Sequence, residues 1–359
     1  MRIRAERDDL VDVLGRAGRA VGVRSPRPIL QGVLVEVLGK TMRLTGTDEN
    51  VTVRTQLDVE VLEEGSTVVP ARLATEAVRK MPSGAVVLNA VGGEVEITGN
   101  GPTFRFRESP VDDFPKLGEP DLTDAIKVDG DAFVDAVGQV GVAASTDDAR
   151  PILTGVYFEG EEGKLRLVST DSYRLAVRDL PSVEAHLAGL VPVRALRELG
   201  RTVGAPDLQV AIGDREAAFS TERGTLTARL IEGTFPNYRQ LIPETYPNRL
   251  TVGRDALLEA IDRASLVAED HIPIRLTLQK GGVELSVTRQ DVGGETEHVE
   301  AEYAGEEMTI AFNSRYLNDG VNAVQGDEVL LDVMDPLKPG LLRSGDDEDF
   351  LYLLMPVRL

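Results

Sequence analysis

The 359-residue chain has no cysteine. That removes disulfides, thiol nucleophiles and cysteine-ligated zinc together. Histidine is scarce: His186, His271 and His298 stand apart, without metal-ligand spacing or a His-Glu-x-x-His pattern. No Gly-x-x-x-x-Gly-Lys-Ser/Thr phosphate loop occurs, and no Gly-x-Ser-x-Gly elbow. No apolar run approaches the ~18 residues of a membrane-spanning helix. The start, Met1 to Asp9, has no apolar segment of a secretory leader, so a cytoplasmic protein with no membrane role is expected. Only seven residues are lysine, and 39 basic residues face 60 acidic ones, a net charge of −21. That balance argues against general nucleic-acid binding. Among sixty carboxylates no pair stands out as catalytic. The expectation is a protein with no catalytic residue, no metal and no cofactor.

What is present is a 42% hydrophobic composition, enough for real cores, in a length suited to two or three domains. The chain also repeats itself. Arg27-Pro28-Ile29-Leu30 returns as Arg150-Pro151-Ile152-Leu153, and Thr47-Asp48 as Thr170-Asp171, both at an offset of 123. Leu10, Leu14, Ala17 and Val21 map at the same offset onto Phe133, Val137, Val140 and Ala144. Val69-Pro70-Ala71-Arg72 returns as Val191-Pro192-Val193-Arg194, and Phe114-Pro115 as Phe235-Pro236. A fainter third copy places Leu257, Ile261 and Ala264 behind Phe133, Val137 and Val140, and Ala311-Phe312-Asn313 behind Val191-Pro192-Val193. Three domains are expected, at 1–121, 122–245 and 246–359.

Each copy opens on an amphipathic helix; in the first, apolar residues at 10, 13, 14, 17 and 21 trace one buried face. Val51, Val53, Leu57, Val59 and Val61 alternate with period two, which predicts a strand. Gly92-Gly93, Gly213-Asp214 and Gly281-Gly282 predict turns between strands. A second helix is predicted at 71–81, 193–202 and 314–324. The fold class is α+β: repeated antiparallel sheets, each with two helices on one face.

The second helices run against the acidic average. They hold Arg72, Arg79, Lys80, Arg194, Arg197, Arg201 and Arg315 against Glu76, Glu198 and Asp319. Arg16, Arg19 and Arg24 add to the first copy. Charge alone leaves two readings open: ordinary solvated helix faces, or a surface that meets a polyanion through its phosphates without reading sequence.

Four stretches carry a resemblance that spans the chain. They are Arg150 to Val156 (RPILTGV), Ser169 to Ala176 (STDSYRLA), Phe235-Pro236-Asn237-Tyr238 with Ile242-Pro243, and Met355-Pro356-Val357-Arg358-Leu359. In order, on a three-repeat scaffold, they resemble the beta subunit of bacterial DNA polymerase III, the sliding clamp family. The resemblance implies a DNA clamp fold and a head-to-tail homodimer whose six domains close a ring around duplex DNA. Helices would line the hole, and the ring would act as a non-catalytic processivity factor. It implies a pocket between copies two and three for short peptides of polymerases, the clamp loader and repair proteins. The walls of that pocket would be Leu153, Thr170, Ser172, Tyr173, Arg174, Leu175, Pro236, Leu241, Asn313, Tyr316, Leu337, Leu353, Met355, Pro356 and Val357. DNA-facing residues would be Arg24, Arg72, Arg79, Lys80, Arg194, Arg197 and Arg201. The ring joint would use Arg105 and Arg107, alternating with Phe104 and Phe106, against Leu266, Glu295, Glu297 and Glu300.

Some positions depart from the family pattern. Asp147 and Asp148 occupy a loop that approaches DNA in relatives, Pro151 stands where other side chains occur, Gln240 where a basic residue occurs, and His271 where an apolar one is expected. A duplicated clamp with an altered pocket, tolerant of a clamp-directed inhibitor, and a protein scaffold without a DNA role both stay open on the sequence.

Overall fold

The computed structural model describes every residue except 23–24, 162, 182, 184–185, 205–206, 244, 269–271 and 359. Arg24 and His271 therefore lie outside the described residues. Seven α-helices occur among the described residues: α1 Arg7–Ala17, α2 Ala71–Arg79, α3 Gly130–Gly141, α4 Val193–Leu196, α5 Leu199–Thr202, α6 Arg254–Ser265 and α7 Ser314–Ala323. The chain forms two compact units. The first is Met1–Val134 with Arg194–Leu230, the second Asp135–Val193 with Ile231–Leu359.

The first unit holds two antiparallel sheets. Five strands run in the order Glu60–Glu63, Arg2–Glu6, Ala85–Val91, Glu94–Thr98 and Thr103–Arg107. Eight strands join residues 32–70 of the first copy to 126–128 and 208–229 of the second, and Val51–Asp58 pairs with Gly224–Arg229 at the seam. The helix α1 buries Leu10, Val13, Leu14 and Ala17 against α2 and against strands Thr41–Thr47 and Val51–Asp58. Leu10, Val13 and Leu14 each contribute about 1.5–3 kcal/mol by leaving water. The approach is close enough to require glycine: a Cβ on Gly46 would stand 1.9 Å from the Ala17 carbonyl oxygen.

The second unit is built on one twelve-stranded sheet, in which Arg174–Pro181 of the second copy pairs with Phe350–Leu354 of the third. In the first unit, Val51–Asp58 takes the seam place that Arg174–Pro181 takes here. The helix α6 buries Leu257, Ala260, Ile261 and Ala264 and packs with α7 on this sheet.

Several local expectations need correction. The first helix ends at Ala17 and tightens into a 3-10 turn, Gly18–Ala20. The predicted helix at 193–202 is broken: Glu198 N donates to Ala195 O, three residues back, and Gly200 and Val203 add little helix preference. The period-two run from Val51 to Val61 is two strands in two sheets. After Asp58 the amide of Val59 donates to Lys40 O, and Val61 then pairs with Ile3. The Gly92-Gly93 turn is as expected, with φ of 64° and 84° suiting a two-residue hairpin. In the third copy the hairpin turn is Lys280-Gly281, because Gln279 pairs with Gly282. None of the described helices is long and apolar enough to cross a membrane.

Candidate functional site

The second unit gathers most of the expected pocket residues at one end of its sheet. Arg174, Leu354 and Gly340 are cross-strand partners in register. Tyr173, Met355 and the loop bearing Leu337 therefore emerge at the same end. One step inward, Leu175, Leu353 and Leu341 form a row and pack with Tyr238 and Val168 in one buried cluster. Phe235, whose ring stacks on Tyr157 at 5.2 Å, packs on that cluster, as do Ile242 and Tyr246. Phe235, Tyr238, Ile242 and Tyr246 thus lie against the row, while Pro236, Gln240 and Leu241 stay exposed. The tail is held by two backbone bonds: Met355 N donates to Tyr173 O at 2.9 Å and Val357 N to Ala311 O at 2.8 Å.

Arg174 is the electrostatic centre. It is 5% exposed; Nε donates to Asp171 Oδ2 at 2.9 Å and Nη1 to Asp319 Oδ2 at 2.6 Å and to Tyr352 Oη at 3.3 Å. Its guanidinium lies 4.2 Å from the Tyr316 ring centroid, and the Tyr316 and Tyr173 rings stack at 6.4 Å. Burial opposes the charge of Arg174, but Tyr352, Asp319 and Asp171 outweigh it and hold the proton above the ordinary arginine range. Burial likewise pushes the Tyr316 hydroxyl up. Asn313 caps α7 by accepting Tyr316 N at 3.0 Å, so Tyr316 is fixed from both sides. Thr170 Oγ1 receives Ser172 N and donates to Arg174 O, which shapes a turn with φ of 82° at Ser172. Leu153 is buried in the turn Pro151–Leu153, apart from the row, and Pro356 is half-buried in the tail.

What results is a buried apolar row flanked by stacked aromatic rings and an internally neutralised cation. Of eleven large apolar side chains exposed among the described residues, five are expected pocket residues: Tyr173, Leu241, Leu337, Met355 and Val357. Exposed apolar side chains clustered in this way are a feature of surfaces that bind partners. Sequence reasoning missed Asp319 and Tyr352, which position Arg174. It also missed the row's extension through Asp332, the one carboxylate among the apolar residues 329–333.

The basic residues of the first unit form a second feature. Arg72, Lys80, Arg79, Arg194, Arg197 and Arg201 are all exposed. Arg72, Arg79 and Arg201 line one cleft of about 490 Å³ between α1, α2 and α5, together with Arg16 and Arg19. Arg16 belongs to the packing instead: 9% exposed, it donates through Nε to Asp12 at 3.0 Å and through Nη1 to the Arg223 carbonyl at 3.2 Å. Arg19 pairs with Glu198 at 2.9 Å, and Arg194 with Asp48 at 3.1 Å. Asp147 accepts Ala149 N at 3.0 Å and pairs with Arg150 at 3.2 Å, so it builds its own turn; Asp148 is exposed. Arg315 is exposed on α7 of the second unit.

The expected joint residues other than Leu266, which caps the end of α6, lie on strands with free edges. Thr103–Arg107 ends the five-stranded sheet, Phe104 and Phe106 pack inward, and Arg105 and Arg107 are exposed, with Arg105 2.7 Å from Glu96. On Gly293–Ala304, residues 293–300 pair on one side only. Glu297 is committed to Arg263 at 2.7 and 2.8 Å, which holds its carboxyl below the usual range. Burial and Glu297 push Glu295 up, Glu300 is exposed, and Leu266, at 86%, is the most exposed of the large apolar side chains.

Family models match the chain in three segments: the DNA polymerase III beta subunit N-terminal domain over residues 1–118, its central domain over 127–237 and its C-terminal domain over 239–358. The beta sliding clamp of Streptomyces coelicolor is 32% identical over 378 residues, covering all of both chains. The beta sliding clamp homolog GriR of Streptomyces muensis is 33% identical, covering all of this chain and 99% of its own. The crystal structure of the sliding clamp from Bartonella birtlesii bound to griselimycin superposes with a TM-score of 0.95 at 30% identity, over the whole of both chains. The chain therefore belongs to the DNA polymerase III beta subunit family, the three-domain, non-catalytic sliding clamps of DNA replication.

Proposed function

We propose that two copies of this chain close head to tail into a ring around duplex DNA and carry partner peptides in the groove at Leu175, Leu353 and Leu341. The three domains are taken as 1–121, 122–245 and 246–359. DNA is met through Arg72, Arg79, Lys80, Arg194, Arg197 and Arg201, with no readout of bases; phosphate contacts of this kind suit sliding. The free edges at Thr103–Arg107 and Gly293–Ala304, one basic and one acidic, support a joint made by strand addition, with Leu266 beside it. A closed ring follows when a heterologous contact repeats through a closing rotation. Polymerases, the clamp loader and repair proteins would compete for one groove, and the protein would act in the cytoplasm.

The observation that carries the groove is the gathering of Tyr173, Leu241, Leu337, Met355 and Val357 around one buried row. Loading onto nicked circular DNA, followed by linearisation, tests the ring: the protein stays on the circle and runs off the linear form. Equal loss from both templates would defeat encirclement. Leu241→Asp with Met355→Asp tests the groove: polymerase stimulation and loader-dependent loading are both lost while the dimeric mass stays unchanged. Unchanged stimulation would defeat it.

A further inference from the structure

The row that floors the groove continues past it. Leu175, Leu353, Leu341, Asp332 and Arg249 are successive cross-strand partners on five neighbouring strands, and cross-strand partners share one face of a sheet. Asp332 is fully buried, and both its oxygens are used. Oδ1 accepts Arg249 Nε at 2.6 Å; Oδ2 accepts Arg249 Nη2 at 3.1 Å and Arg343 Nη2 at 2.5 Å. Arg343 stands diagonal to Asp332, opposite Leu330. Tyr246 packs on the same apolar floor. Burial, reinforced by Asp332, pushes its hydroxyl up to about 12, so it stays neutral near pH 7.

One carboxylate thus serves two guanidinium groups, and the cluster keeps one positive charge. Arg249 and Arg343 remain 47% and 35% exposed. Glu302 stands diagonal to Arg249 through the pairing of Arg249 with Ala304, but no ion pair among the described residues joins it to either arginine. A buried aspartate that orients two arginines outward, in a chain of charge −21, prepares them for a carboxylate from elsewhere. Planar guanidinium forks match a carboxylate in two bonds.

We propose that Arg249 and Arg343 form a carboxylate-binding subsite that extends the groove, so that the partner peptide carries an acidic group beyond its apolar anchor. This rests on the reading of the groove as a peptide site. Strands spaced about 4.8 Å apart place Asp332 roughly 10 Å from Leu353 and Arg249 roughly 14 Å away. An extended peptide covers that span in about three to five residues.

Three fluorescein-labelled synthetic peptides separate the possibilities in an anisotropy titration of the intact wild-type protein. The first has a Leu-Phe anchor followed four residues later by Asp-Asp, with an amidated end. The second replaces Asp-Asp with Asn-Asn. The third keeps Asn-Asn and has a free terminal carboxylate. At least one carboxylate peptide should bind about tenfold tighter than the amidated Asn-Asn peptide, and the one that gains identifies the source as side chain or chain terminus. The gain should shrink with added salt and fall below twofold in Arg249→Gln and in Arg343→Gln. Equal affinity of all three peptides for the wild-type protein would overturn the subsite and leave the groove standing. Binding indifferent to Leu241→Asp, or no binding by any peptide, would overturn the groove itself and the subsite with it.

Discussion

Arg174→Met removes the cation that ties the Thr170–Arg174 turn to α7 and to Tyr352. The side chain is 5% exposed and bridges Asp171 at 2.9 Å and Asp319 at 2.6 Å. Removing one partner of a buried ion pair costs about 3–5 kcal/mol. The lower end applies here, because the two carboxylates are left unequal. Asp171 Oδ1 keeps the amides of Tyr173 at 2.9 Å and Arg174 at 3.1 Å, and Asp319, 30% exposed, regains water. Loss of the stacking on Tyr316 adds about 1 kcal/mol. A net loss of about 4 kcal/mol lowers the melting temperature by roughly 8–16 °C in a unit of this size. Arg174→Lys should recover less than half, since a compact ammonium does not fork to two carboxylates. Adding Asp319→Asn to Arg174→Met should return under about 1 kcal/mol, as an exposed carboxylate gains little. Scanning calorimetry of the four proteins decides the matter, with peptide affinity falling in parallel as the Tyr316 wall loosens. A methionine variant melting within 2 °C of wild type, or full recovery by lysine, would refute the account.

Gly320→Ala places a Cβ 2.5 Å from Tyr352 Cε1 and 2.8 Å from Leu342 Cδ1; overpacking of about 1–3 kcal/mol should exceed the ~1 kcal/mol gained in helix preference, and urea melts should show net destabilisation. Tyr246→Phe should be neutral or stabilising by up to about 1 kcal/mol in the same assay, because the buried hydroxyl makes no hydrogen bond. Burial pushes Tyr238 and Tyr246 each up to about 12, above the ~10 of an unfolded tyrosine. The unfolded chain therefore releases these protons first, and stability that is intact below pH 10 is lost as pH rises towards 12; alkaline denaturation should be shallower in Tyr246→Phe. Arg72→Gln with Arg201→Gln should lower the slope of log affinity for DNA against log salt by roughly 2, measured by anisotropy.

The repeat was legible because its signature residues build backbone. Thr47 Oγ1 receives Glu49 N and donates to Val51 O, as Thr170 Oγ1 receives Ser172 N and donates to Arg174 O. Asp48 and Asp171 each accept the amides two and three residues ahead, and Glu49 and Ser172 share a positive φ. Even the preceding arginines correspond: Arg27 reaches Glu49, and Arg150 reaches Ser172. Sheet membership was not legible. Alternation reports which face a residue takes and says nothing of its partner strand, so the change of sheet at Val59 left no mark. Helix continuity at 193–202 failed for a related reason: the apolar spacing persists through the i−3 turn at Glu198. The second partner of Arg174 was hidden by distance, since Asp319 lies 145 positions away.

Near-identical turns serve unlike ends, and this accounts for how a repeated chain can carry the proposed groove at one seam alone. In the first unit the turn presents Glu49, Asn50 and Val51, and Asp48 reaches Arg194 across its seam. In the second unit the same geometry presents Ser172, Tyr173 and Arg174, and Asp171 turns back to Arg174 within its own turn. Arg174 then crosses the seam in place of the aspartate and meets Asp319, Tyr316 and Tyr352. That exchange leaves Tyr173 exposed beside Met355, as Asn50 is exposed at the matching place in the first copy, while Val51, which matches Arg174, is 8% exposed within its sheet. The backbone of both seams is the same solution to the same packing problem; the proposed groove lies where an aromatic and an arginine stand in the places that an asparagine and a valine hold in the first copy.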